Sequence, residues 1–189
     1  INQNPFTDNV NRVFGYTKLD WSPVDGVLLS YRVGLDQYSD VRKQIIAKNS
    51  RTFPGGSITD EAWNVMEINQ DVTANWTTNF GPIGANFLAG FNSNMRDYKY
   101  VGTYGTGLVL PDFYNMSNAQ NQQAYESVTG RRLWGTYAEA QLDYDDWAFL
   151  TLTARRDQAS TFGNVSTPIL YPSASLALIL TEVLDIKSD

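Results

Sequence analysis

The stretch MEINQDVTANWTTNF, Met66 to Phe80, decides how this chain folds. Its even positions read Met, Ile, Gln, Val, Ala, Trp, Thr and Phe, and its odd positions read Glu67, Asn69, Asp71, Thr73, Asn75, Thr77 and Asn79. A period of two over this length is a strand with one apolar and one polar face, because successive side chains of a strand point to opposite sides.

The same alternation recurs along the chain. It predicts strands over Val13–Trp21, Val27–Gln37, Ile83–Met95, Arg132–Tyr144, Ala148–Ala154 and Ala174–Leu180. Seven strands result, and several exceed the five or six residues usual in globular sheets. Long two-faced strands suit a tilted crossing of a bilayer, which needs about 9–11 residues.

The connections alternate in length. SPVDG (Ser22–Gly26), Gly81-Pro82 and DYDDW (Asp143–Trp147) carry the chemistry of tight turns. The intervening connections are expected to be long loops, over Asp40–Trp63, Asp97–Gly130 and Asp157–Leu170. Short turns at one end and long loops at the other are the signature of an up-and-down outer-membrane barrel.

Aromatic and charged residues point the same way. Trp21, Phe80 and Tyr144 fall on the apolar face beside the short turns, and Trp63 and Trp134 lie toward the long-loop end, as in aromatic girdles at membrane–water boundaries. Lys18, Asp20, Arg32, Asp36, Glu67, Asp71, Glu139 and Arg155 fall on the opposite face, with Arg132 and Arg156 as exceptions near the loop ends. A lipid-facing Arg or Lys at mid-depth costs about 2–4 kcal/mol, so one-sided charge is a constraint. A soluble β-sandwich also alternates, and a soluble carbohydrate-binding module of that kind is the competing reading. Strand length, loop alternation and ring placement favour the membrane. Seven strands do not close such a barrel, since an open edge in lipid leaves backbone groups unpaired. The chain is therefore expected to be one part of a barrel wall.

Composition narrows the function. Of 189 residues, 18% are charged and the net charge is −6, which argues against nucleic acid as a partner. There is no histidine and no cysteine, which removes His-based triads, thiol nucleophiles and most zinc or haem sites. No cofactor, metal or enzymatic activity is expected. No run approaches the 18 apolar residues of a transmembrane helix. The first residue is Ile1 and not a methionine, so a mature or cut chain is expected.

Several motifs carry a family resemblance. GLVLPDFYNMSN (Gly107–Asn118) resembles a pattern of glycine, apolar, proline, FYN and SN found in the SusC/RagA-type TonB-dependent transporters of Bacteroidota outer membranes. LTARRDQAST (Leu152–Thr161) is similar to that family's TGRNDWSST, retaining Arg155 and Asp157 but placing Ala154, Arg156 and Gln158 where the family has glycine, asparagine and tryptophan. YPSASLAL (Tyr171–Leu178), YRVGLDQYSDVR (Tyr31–Arg42) and FPGG (Phe53–Gly56) resemble further family segments, in the family's order.

The resemblance implies a segment of a 22-stranded barrel. It implies that the N-terminal plug and the remaining strands lie outside this chain. It also implies energised import of a large nutrient, an oligosaccharide or peptide, across the bacterial outer membrane. The partners it implies are a SusD-like lipoprotein lid, the TonB–ExbB–ExbD complex acting through the plug, and the lipid bilayer itself. A passive porin wall is the alternative with the same sheet. The candidate substrate or lid contacts are Phe113, Tyr114, Asn115, Arg155 and Asp157. Phe113 and Tyr114 suit a sugar platform, a lid contact, or a pin for their own loop. Arg155 and Asp157 suit a substrate path or a structural ion pair.

Overall fold

The computed structural model describes residues 4–162 and 169–183. Its strands are β1 (Phe6–Trp21), β2 (Val27–Ile46), β3 (Ser57–Phe80), β4 (Ile83–Leu108), β5 (Ala119–Tyr144), β6 (Ala148–Ala159) and β7 (Ile169–Leu178). Single helical turns sit at Met116–Asn118, Ser160–Phe162 and Leu180–Val183. All seven strands form one sheet in sequence order, an antiparallel up-and-down arrangement.

Register fixes the faces. Leu142 lies opposite Leu150, and Leu150 opposite Leu176. Tyr137 lies opposite Arg155, and Arg155 opposite Tyr171. Rows of aliphatic and rows of polar or aromatic side chains therefore alternate across the strands, as pleating demands. At the β5–β6 turn, Asp145 and Asp146 both have positive φ, 50° and 59°, and the Trp147 N–H donates to the Tyr144 carbonyl at 3.1 Å. Left-handed φ at both central positions matches the twist of a hairpin, and aspartate tolerates it better than most residues.

The chain divides into two compact units, each built from parts of several strands. The turn-side unit holds Tyr16–Gly34, Ile68–Met95 and the residues from Arg131 onward. Here the apolar faces stand exposed: Leu19, Trp21, Val72, Trp76, Phe80, Phe91, Leu152 and Leu176 are uncovered. Every described strand belongs to the one sheet, so the second layer that a sandwich needs is not found among the described residues. Two polar residues on this face pair with each other, the Tyr31 hydroxyl donating to Gln70 Oε1 at 3.0 Å.

The loop-side unit holds the residues up to Gly15, with Leu35–Glu67 and Arg96–Gly130. It has a small core of its own. Ile58, Leu108 and Ala119 are buried together, with Tyr114 and Met116 packed against them.

The strands run further than alternation predicts. β2 continues to Ile46, β3 begins at Ser57, β4 reaches Leu108 and β5 begins at Ala119. The expected loops Asp40–Trp63 and Asp97–Gly130 shrink to residues 47–56 and 109–118. β1 begins earlier, at Phe6, β6 runs on to Ala159, and β7 is shifted back, to Ile169–Leu178. Part of the third expected loop, residues 163–168, lies outside the described residues. The physical reason is that both faces of these extensions are polar. Lys43 pairs with Asp60 at 3.4 Å and Lys99 with Glu126 at 2.9 Å, on the positions that are apolar nearer the turns. A strand wetted on both faces shows no alternation to read.

Candidate functional site

Two of the sequence motifs meet in the loop-side unit. FPGG, in the β2–β3 loop, docks on the start of GLVLPDFYNMSN. The N–H groups of Gly107 and Leu108 donate to the carbonyls of Gly56 and Gly55 at 3.2 and 2.8 Å, and Lys48 Nζ donates to the Val109 carbonyl at 2.7 Å. Gly56 has φ 70°, and a Cβ there would lie 2.9 Å from the Ile46 carbonyl oxygen and from Leu108 Cδ1. Only glycine supplies both that conformation and that clearance.

FYNMSN closes the β4–β5 turn through its two asparagines. Asn115 Oδ1 accepts from the Ser117 N–H at 3.0 Å and caps the short helical turn. Asn118 is buried. Its Oδ1 accepts from the Leu110 N–H at 2.9 Å, and its Nδ2 donates to the Leu110 and Phe113 carbonyls at 2.8 and 2.7 Å. One amide thus satisfies three backbone groups in a turn too irregular to pair them itself.

This geometry separates the candidate residues of the turn. Asn115 spends its carbonyl on the cap. Tyr114 is half-buried against the Ile58 cluster, and its hydroxyl donates to Asp112 Oδ1 at 3.1 Å. Burial first, then that hydrogen bond to a carboxylate, raises the Tyr114 pKa above its ordinary value. Phe113 is exposed beside exposed Val109 and Leu110.

Arg155 and Asp157 lie on the polar face of the turn-side unit and bind each other. Arg155 Nε donates to both Asp157 oxygens at 2.9 Å, and its guanidinium lies 5.6 Å from the Tyr137 ring centroid. The pair is packed flat on the sheet. Asp157 sits opposite Gly135, where a Cβ would lie 2.2 Å from Asp157 Oδ1. Tyr137 in turn covers Gly90, where a Cβ would lie 2.2 Å from its ring carbon Cζ. Beside them Arg32 pairs with Asp71 at 2.9 Å, and Asn92 Nδ2 donates to the other Asp71 oxygen at 2.6 Å. Two ion pairs, Arg155–Asp157 and Arg32–Asp71, thus lie along the polar face. Arg155 and Asp157, with Asn92 and Tyr171, line a shallow cavity of about 270 Å³.

The apolar face carries a groove of about 540 Å³ whose apolar-face lining includes Ala74, Trp76, Phe87, Ala89, Ala138, Ala140, Leu152 and Ala154. Trp21, Phe80 and Tyr144 are the last residues of β1, β3 and β5, immediately before the short turns, and all three are exposed. Trp134 lies on the same face, 6.5 Å from Phe91 between ring centroids. Trp63 differs from its expected place. It sits on the charged face of the loop-side unit, beneath the Arg42 guanidinium at 4.4 Å and against Tyr100 at 5.1 Å.

Alternation alone misses Asn118, Tyr100, Tyr137 and the glycines beneath that tyrosine and the Arg155–Asp157 pair. Asn118 stands in the quoted FYNMSN motif, but its role depends on the turn's folded path. The tyrosine–glycine pairs depend on register between strands, which a single strand's pattern does not contain.

No protein-family model and no curated protein matches this chain. Solved structures do. The chain superposes on the RagAB peptide transporter with a TM-score of 0.92 at 15% identity, covering 99% of this chain and 22% of that one. The RagAB peptide importer in the 'open-open' state gives 0.91, also at 15% identity, covering 98% and 21%. The ferric preacinetobactin receptor BauA from Acinetobacter baumannii gives 0.54 at 11% identity, covering 92% and 28%. The chain spans about a fifth of the length of the RagAB chains it matches. At such identities the likeness shows the fold: a segment of barrel-type sheet, shared with transporters and receptors.

Proposed function

We propose that this chain is part of the wall of a SusC/RagA-type TonB-dependent transporter in a bacterial outer membrane. The observation that carries the reading is the match over 99% of the chain at a TM-score of 0.92 to a peptide transporter, against 0.54 for the ferric preacinetobactin receptor BauA. The quoted motifs support it independently, because FPGG and FYNMSN are the segments that lock to each other or close the turn. In this reading the plug and the remaining strands of a 22-stranded barrel lie outside this chain.

The apolar face of the turn-side unit meets lipid, with Trp21, Phe80, Tyr144 and Trp134 at its boundaries. The polar face, with Arg155 and Asp157, meets the plug or the passing cargo, an oligosaccharide or peptide. Phe113 stands exposed at the tip, where a SusD-like lipoprotein lid would rest, while Tyr114 and Asn115 hold the tip in shape. The TonB–ExbB–ExbD complex would supply energy through the plug, and the chain itself performs no covalent chemistry.

The test is uptake in cells that make the full-length protein, with and without a protonophore. The proposal expects the protein in the outer-membrane fraction and cargo uptake that stops when the proton gradient is dissipated. Uptake indifferent to the gradient would mean a passive porin, and a folded protein in the soluble fraction would end the membrane reading.

A further inference from the structure

β5 has two halves with different neighbours. From Leu133 to Tyr144 it pairs with β6, whose last partner is Ala159. Beyond that point β5 continues to Ala119 with β4 on one side, and among the described residues no strand lies on the other. Gln120–Gly130 is exposed throughout. At about 3.3 Å per residue this open edge is roughly 35 Å long. Nearer the turns the same strand is paired on both sides.

The direction of its backbone groups follows from the register. The Arg132 N–H donates to Ser160 Oγ at 3.0 Å, on the β6 side. Tyr125 and Tyr137 both cover glycines of β4, Gly102 and Gly90, so the face alternation is unbroken between them. Residues an even number of positions from Arg132 thus turn their N–H and C=O away from β4: Gly130, Val128, Glu126 and Ala124. Long edges are normally protected by lysines, prolines or bulges. Gln120–Gly130 contains no proline, lysine or arginine, and its single charge, Glu126, is paired with Lys99.

Building on the importer reading, we propose that this edge captures the cargo, and that the cargo is an extended peptide adding as a strand beside β5. A row of alternating N–H and C=O groups recognises polypeptide backbone, whereas a sugar presents no such repeat. The side chains of the stretch are mostly Gln, Asn, Ser, Thr and Ala, with Tyr125 as the one large ring. A permanent protein partner would require a desolvated apolar cluster, and the stretch offers only Tyr125 and Val128 as large exposed apolar side chains. Main-chain pairing with neutral, adaptable neighbours suits a cargo of varied sequence held briefly.

The experiment uses the full-length protein in detergent and fluorescence anisotropy. The probes are labelled neutral decapeptides of mixed sequence, the same peptides N-methylated on alternate residues, and a malto-oligosaccharide. Plain peptides are expected to bind about tenfold or more tightly than N-methylated ones, the scale of one or two lost hydrogen bonds. Ala124→Pro with Val128→Pro removes two outward N–H groups that β4 does not use, a placement edges tolerate, and is expected to lose a similar factor. Equal binding of plain and N-methylated peptides overturns the proposal, even if the proline variant fails to fold. So does binding of the oligosaccharide alone, or a co-purifying protein strand that protects these amides while peptides do not bind. The protonophore experiment reads the importer proposal separately, so either can fail while the other stands.

Discussion

The turn-side and loop-side units use the same strands under different rules. On β4 the odd positions read Ile83, Ala85, Phe87, Ala89 and Phe91 in the first unit, then Asp97, Lys99, Val101 and Thr103 in the second. β3 changes likewise from Ile68, Val72 and Trp76 to Asp60, Ala62 and Asn64. The backbone and its hydrogen bonds are indifferent to the change. In the proposed membrane reading, what differs is the medium each outer face is built for, hydrocarbon in one unit and water in the other. In lipid a sheet needs no second layer, because its apolar face is already in an apolar solvent. In water the loop-side unit needs its own devices, and it has them in the Ile58 cluster, the FPGG dock and the Asn118 amide.

The largest effect should come from placing one charge in each unit on the same face of the same strand. Ala89→Arg should destabilise the folded protein in lipid vesicles by about 2–4 kcal/mol, because the guanidinium sits at mid-depth. Val101→Arg should change stability by about 0.5 kcal/mol or less, as surface substitutions do. Denaturant unfolding in lipid vesicles measures both, and equal costs would break the comparison.

The next effect belongs to the loop-side unit alone. Asn118→Ala strands the Leu110 N–H and the Leu110 and Phe113 carbonyls, a local loss of about 1–3 kcal/mol. Hydrogen exchange should show the 109–118 turn losing protection while the turn-side amides of β5 keep theirs. The smallest effect is in pH. The Tyr100 hydroxyl donates to Glu61 at 2.7 Å, and that hydrogen bond, ahead of burial, pushes the Tyr100 pKa up to about 12 from its ordinary 10.0. A tyrosine pKa raised by folding contributes stability that is fully present below the unfolded value and is lost as pH climbs through the folded one. Stability should therefore fall between pH 10.0 and about 12 in the parent, and this part of the slope should vanish in Tyr100→Phe.

Much of the turn-side unit is legible in the sequence, because one apolar and one polar face write a period of two into it. The strand order, the short turns and the apolar positions follow from MEINQDVTANWTTNF and its relatives alone. The outer ends of β2, β3, β4 and β5 are not legible, because Lys43, Asp60, Lys99 and Glu126 put charges on the face that is apolar nearer the turns. Trp63 went astray for the same reason: past Glu67 its ring lies against the Arg42 guanidinium and the Tyr100 ring, on the polar face. At the candidate site, the motifs mark where FPGG and FYNMSN lie. That Asn115 and Asn118 hold the turn while Phe113 is left outward depends on the folded path of the turn.

The most direct measurement is a lipid-contact scan along β4. Single probes at Phe87, Phe91, Met95, Val101 and Thr103, and at the opposite-face positions Leu88 and Asn92, are read in vesicles containing brominated lipid. The account predicts strong quenching at Phe87 and Phe91, weakening at Met95, and none at Val101, Thr103, Leu88 or Asn92. Quenching that ignores the alternation, or that is absent at Phe87 and Phe91, would contradict it.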